Sequence, residues 1–122
     1  MAPENANVFL AEDDNSWRRI AHQALERDSH QVLVEVSTFE DALEAITKAK
    51  EIGINVAIVD GNLTNEDASG TDGRLIANSL RKEIPEIKIV SFSGQPQNYG
   101  DVHVSKGDVD NVLNLGKIVT QL

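Results

Sequence analysis

The chain has 122 residues, 40% of them hydrophobic, and a formal charge of −9 from 20 acidic and 11 basic side chains. Length and apolar content fit one core, so residues 1–122 are expected to form a single domain. The acidic balance argues against direct binding to nucleic acid, the lack of cysteine excludes disulfides and thiolate metal sites, and no apolar run is long enough to span a membrane.

The N-terminus, Met1-Ala2-Pro3-Glu4-Asn5, has no signal-peptide pattern, and the composition suits a cytoplasmic protein. Residues 7–11 (Asn-Val-Phe-Leu-Ala) read as a first strand that runs into Glu12-Asp13-Asp14. A helix is expected from 15 or 16 to about 28. Trp17, Ile20, Ala21, Ala24 and Leu25 recur on one of its faces, and Asn15 is a candidate N-cap. Residues 31–36 form a second strand. Ser37-Thr38-Phe39-Glu40 has the capping-box spacing for a second helix, whose apolar side is Ala42, Leu43, Ala45, Ile46 and Ala49 and whose end is Gly53.

Val56-Ala57-Ile58-Val59 is a run of four apolar residues leading into Asp60-Gly61-Asn62. Such a run suits a strand buried on both faces in a parallel sheet. Asp60 then stands beyond the carboxyl end of a central strand, where open α/β sheets gather their ligands. Taken alone, Asp60-Gly61 is equally a turn dipeptide. Residues 62–72 form a polar loop longer than the usual βα connection. A third helix follows to about 83, stopped by Pro85. Residues 87–92 are a fourth strand ending in Ser93-Gly94, and 102–105 a short fifth ending at Lys106. The intervening segment has no helical pattern beyond a turn. Asp108 can cap one last helix, with Val109, Val112, Leu113, Val119 and Leu122 inward and Gly116 as a weak point. Strands alternating with helices imply a parallel sheet covered on both faces.

The strands end in Glu12 and Asp13, Asp60, Ser93 and Lys106. Each has a plain explanation by itself: a solvated loop feeding a helix dipole, a turn, a surface charge. Their joint placement is harder to obtain by accident. With the first and third strands adjacent, three carboxylates converge, and some would stay protonated unless a cation were present. All-oxygen ligands at a partly hydrated site favour Mg²⁺. A carboxylate is a competent nucleophile toward phosphorus, and a metal with Lys106 would neutralise the phosphoryl oxygens.

With these residues in place, the sequence resembles the receiver domains of bacterial two-component response regulators over nearly its whole length. Val8 to Ile20 is similar to the family's opening strand, acidic pair and first helix; Asp60 matches the phosphoacceptor, Ser93-Gly94 the switch pair and Lys106 the invariant lysine. The resemblance implies a flavodoxin-like doubly wound α/β fold with five parallel strands in the order 2-1-3-4-5. It also implies Mg²⁺ bound by Glu12, Asp13, Asp60 and the main-chain carbonyl of Asn62, with Ser93 and Lys106 on the phosphoryl group. The implied donor is a histidine kinase or a phosphotransfer protein.

Departures from the family pattern are equally plain. Thr64 stands where proline is common, and the loop before Asp72-Gly73 is long and carries Glu66 and Asp67. Gly107 follows the lysine in place of proline, so a trans bond and a shifted Lys106 loop are expected. His103 holds the aromatic switch position and is expected to respond together with Ser93. The stretch between Ser93 and Lys106 is too short for the family's fourth helix, which must be reduced or missing.

Two other functions compete. One is a phosphorylation-independent interaction module that keeps the fold. The other is a small phosphatase, because Asp60-Gly61-Asn62-Leu63-Thr64 distantly resembles the nucleophile motif of the haloacid dehalogenase superfamily. That motif needs an acid at Asn62 and normally lies on the first strand. With no output domain after Leu122, output by protein contact is expected, with residues 64–71 as a candidate partner surface.

Overall fold

A computed structural model describes residues 5–61, 71–95 and 97–122. The elements are β1 (Asn7–Ala11), α1 (Asn15–Arg27), β2 (Gln31–Val36), α2 (Phe39–Ile52), β3 (Val56–Asp60), α3 (Thr71–Glu83), β4 (Lys88–Ser93), β5 (Val102–Ser105), α4 (Val109–Leu113) and α5 (Leu115–Thr120). The five strands form one sheet in the order β2-β1-β3-β4-β5, every pair parallel. This is the doubly wound order expected.

The apolar run of β3 is buried throughout because helices cover both faces of the sheet centre. On one face Phe9, Ala11, Ala57, Val59 and Ile89 meet Ile46 of α2 and Ile76 and Leu80 of α3. On the other, Val8, Leu10, Ile58 and Phe92 meet Ala21 and Leu25 of α1 and Val112, Leu115 and Val119 of α4 and α5. Thr38 caps α2 by accepting the Asp41 N–H at 3.1 Å, and Gly53 ends that helix in the left-handed region at φ 90°.

Three local expectations need correction. Thr38, not the Ser37 that opens the expected capping box, caps α2. Asp14, not Asn15, caps α1, its carboxylate accepting the Trp17 N–H at 2.9 Å. The C-terminal helix is two helices, broken at Asn114. Val109 and Leu113 face solvent, and Val112, Leu115 and Val119, which share another face, supply the buried side. Gly116 has a packing role as well. A Cβ there would lie 2.5 Å from the Ala24 carbonyl, so α5 can approach α1 only without a side chain at this point.

No helix forms between β4 and β5 among the described residues. Parallel strands usually need a dozen or more residues of crossover. Residues 94–101 manage the return because an extended chain of that length reaches about 26–29 Å, more than the length of a short strand. Backbone contacts hold the return against β4. The Asp101 N–H donates to the Ile89 carbonyl, and the Ile89 N–H to the Asp101 carboxylate at 2.8 Å. A Cβ on Gly100 would lie 2.7 Å from the Ser91 nitrogen. Tyr99 turns inward and joins the core cluster that holds Ile76, Ala77 and Leu80.

Candidate functional site

The sheet order sets β1 beside β3 with Ala11 opposite Val59, so Glu12 and Asp13 emerge next to Asp60. β4 adds Phe92 opposite Asp60, and β5 adds Ser105 opposite Ser93, which delivers Lys106 to the same end of the sheet. The Lys106 N–H donates to the Ser93 carbonyl at 3.0 Å and fixes where the lysine leaves the strand.

Glu12 is fully buried and Asp60 nearly so, whereas Asp13 is exposed. One carboxylate oxygen from each of these three residues lies within 4.8 Å of the others. Lys106 Nζ sits 2.6 Å from Glu12 Oε1 and 3.5 Å from Asp60 Oδ1. The Asp14 N–H donates to Glu12 Oε2 at 3.1 Å, and Arg18 donates to the Glu12 main-chain carbonyl at 3.1 Å. Burial, reinforced by the Asp60 carboxylate, pushes the Glu12 carboxyl up to about 8, against the opposing pull of Lys106 and the Asp14 amide. One ammonium therefore falls short of offsetting the cost of burying this acid beside another. The donor set fits a hard divalent cation: three carboxylate oxygens close together, one of them reachable from water.

Ser93 is buried at the rim, and its Oγ accepts the Gln95 N–H at 3.2 Å. His103 lies two ladder pairs below, opposite Ser91. Its Nδ1 is 2.7 Å from Ser91 Oγ, so its direct partner is Ser91 and not Ser93. Asn62 lies outside the described residues, as do Thr64, Glu66, Asp67 and all but Thr71 of the 64–71 segment. The described peptide bonds are all trans, and Lys106 reaches the acids with that geometry.

Three aromatic residues belong to the site's surroundings; the sequence placed Trp17 only on the apolar face of the first helix and pointed to neither Phe92 nor Tyr99. The Tyr99 hydroxyl donates to the Val59 carbonyl at 2.7 Å, and burial beside Asp60 and Glu12 holds its phenol strongly protonated. Gly73 makes room for that ring; a Cβ there would lie 2.6 Å from Tyr99 Cζ and 2.8 Å from the Asp60 carbonyl. Trp17 and Phe92 flank Lys106, their rings edge to face. The one available signal was rarity: a lone Tyr in a polar segment and a lone Trp next to an acidic cluster.

No family model matches the sequence, and no curated protein matches it. Solved structures do. The isolated receiver domain of RcsB from Salmonella enterica serovar Typhimurium, determined with the phosphomimetic BeF3−, is 17% identical; the match covers 96% of this chain and 88% of that one with a TM-score of 0.72. A response regulator from Thermotoga maritima is 17% identical over 97% of this chain and 99% of that one, TM-score 0.67. A response regulator receiver protein from Sinorhizobium medicae is 17% identical over 97% and 96%, TM-score 0.68. The chain thus has the fold of response-regulator receiver domains. No helix among the described residues is long and apolar enough to cross a membrane.

Proposed function

We propose that residues 1–122 act as a single phosphoacceptor receiver domain, taking a phosphoryl group onto Asp60 in a Mg²⁺-dependent reaction. The donor is a histidine kinase or a phosphotransfer protein, in the cytoplasm, and the output is a protein–protein contact. One observation carries this reading: Glu12, Asp13 and Asp60 place carboxylate oxygens within 4.8 Å of one another, with the Lys106 ammonium among them.

Glu12, Asp13 and Asp60 would hold the ion, as would the Asn62 carbonyl. Bound there, Mg²⁺ supplies charge neutralisation for the transferring phosphoryl oxygens. An Asp60 carboxylate oxygen attacks phosphorus; the new P–O bond gives an acyl phosphate while the P–N bond to the donor imidazole breaks. The departing imidazole keeps the electron pair of that bond. Lys106 moves from Glu12 toward the phosphoryl oxygens, and the Ser93 hydroxyl donates to one of them. Small donors such as acetyl phosphate react by the same attack, and hydrolysis of the acyl phosphate resets the domain.

The test is incubation with acetyl phosphate and Mg²⁺, read by intact mass and by hydroxylamine sensitivity. Labelling is expected in the native chain and absent in Asp60→Asn or with chelator. A label that survives in Asp60→Asn overturns the assignment.

A second reading, the phosphorylation-independent interaction module, is favoured by the lack of a helix between β4 and β5 among the described residues and by a lysine already closed on Glu12. It requires a melting curve that Mg²⁺ leaves unchanged.

A further inference from the structure

Lys106 is a long side chain at the end of a short edge strand, followed by exposed Gly107 and Asp108. Gly107 does little to confine it; the nearest atom to a Cβ there is Ser105 Oγ at 3.5 Å. A free lysine has about 2 kcal/mol of rotamer entropy to lose on being held in one place. Yet its side chain is only 14% exposed and its ammonium stands between two buried acids. Charge alone does not explain this, since a surface lysine satisfies acids from many rotamers.

Two rings define the path. Lys106 Nζ lies 5.8 Å from the centroid of Trp17 and 5.3 Å from that of Phe92. The rings stand edge to face, 5.9 Å apart at 86°, so the lysine passes a corner and not a flat wall. Both distances are within the range at which a ring quadrupole attracts a cation.

The corner is fixed to the acids themselves. Trp17 is the residue whose N–H the Asp14 carboxylate caps, and the Asp14 N–H in turn holds Glu12 Oε2. Phe92 is fully buried and pairs with Asp60 across the β3–β4 ladder. One wall therefore moves with Glu12 and the other with Asp60.

We propose that Trp17 is a positioning residue that, with Phe92, forms an aromatic seat aiming the Lys106 ammonium between Glu12 and Asp60. The seat stands on the packing alone; its effect on phosphoryl transfer rests on the function proposed above. Trp17 keeps the ammonium within reach of the incoming phosphoryl oxygens and shields one side of it from water, which strengthens its pull.

The test combines a structural and a kinetic arm. In the native chain, NMR should show the Lys106 ε-methylene protons shifted upfield by the rings. The shift should fall sharply in Trp17→Leu and persist in Trp17→Phe. In acetyl phosphate labelling at saturating Mg²⁺, Trp17→Leu should be slower by about tenfold, and Trp17→Phe should recover to within about twofold. In a Lys106→Ala background, Trp17→Leu should have no further effect, because Trp17 acts through the lysine. Should the leucine variant not fold, Trp17→Met takes its place.

An unshifted Lys106 resonance in the native chain overturns the seat. So does an equal slowing by Trp17→Leu with and without Lys106, which would mark a merely structural tryptophan. If the native chain takes no label at all, the phosphoacceptor reading fails, and the resonance arm still decides the seat.

Discussion

The Tyr99 hydroxyl donates a 2.7 Å hydrogen bond to the main-chain carbonyl of Val59, the residue before Asp60. The return from β4 thereby grips the strand that carries the candidate acceptor. Tyr99→Phe keeps the ring but removes this hydrogen bond, and should cost about 1 kcal/mol in urea denaturation. Gly73→Ala should destabilise the chain despite the better helix propensity of alanine, because its Cβ would press on Tyr99 Cζ and the Asp60 carbonyl at 2.6 and 2.8 Å. A Gly73→Ala protein as stable as the native chain would show that this contact is slack.

Mg²⁺ should raise the melting temperature, by the equivalent of about 2.7 kcal/mol at a hundredfold excess over Kd. Trp17 is the lone tryptophan and lies beside Lys106, so its fluorescence can follow the titration. Asp13→Asn removes one carboxylate and should weaken binding by about tenfold. Lys106→Ala removes the ammonium that already sits on Glu12 and should tighten it. Weaker binding in Lys106→Ala would mean that the lysine organises the acids more than it competes with the ion.

His30 is buried 2% exposed, with Nδ1 2.9 Å from the Ala6 N–H. Its Nε2 lies 2.8 Å from the Gly116 carbonyl and 2.9 Å from Thr120 Oγ1. This ring joins the start of β1 to α5. His30→Phe should leave the Ala6 N–H without its acceptor and cost about 2 kcal/mol, with an unchanged denaturant slope.

Partial burial lowers the affinity of His103 for a proton below its ordinary value of 6.5. A folded state that resists protonation gains stability above that value and loses it as pH falls through the lowered one. The native chain should therefore lose more melting temperature below about pH 6.5 than His103→Phe does. The difference between the two chains removes the opposite trend from Glu12, whose raised carboxyl favours the fold as pH falls from about 8. Parallel curves for the two chains would contradict this account.

Strand alternation and the residues at strand ends were readable because they obey local periods: an apolar run for β3, a capping serine or threonine before α2, a proline after α3. The convergence of Glu12, Asp13 and Asp60 followed from sheet order, which right-handed crossovers restrict to few choices. Other features depend on contacts between distant segments. Val109 and Leu113 are apolar yet exposed, because the buried face of the C-terminal segment is that of Val112, Leu115 and Val119. Gly116 read as a weak helix former, whereas its reason is the Ala24 carbonyl. Tyr99 sits in a stretch with no pattern, and its place is set by the distant Gly73 and the Val59 carbonyl. Asn62, expected as a ligand through its carbonyl, falls outside the described residues.

The short return from β4 bears on folding kinetics. Val90 and Val102 pair from positions twelve apart in the chain, whereas Val8 and Val56 in the β1–β3 ladder are forty-eight apart. Loop closure costs about 0.6 kcal/mol more for each doubling of length, which favours the β4–β5 ladder by about 1.2 kcal/mol. A parallel pair, ordinarily among the slow parts of an α/β sheet to assemble, is here the cheapest in chain entropy to nucleate.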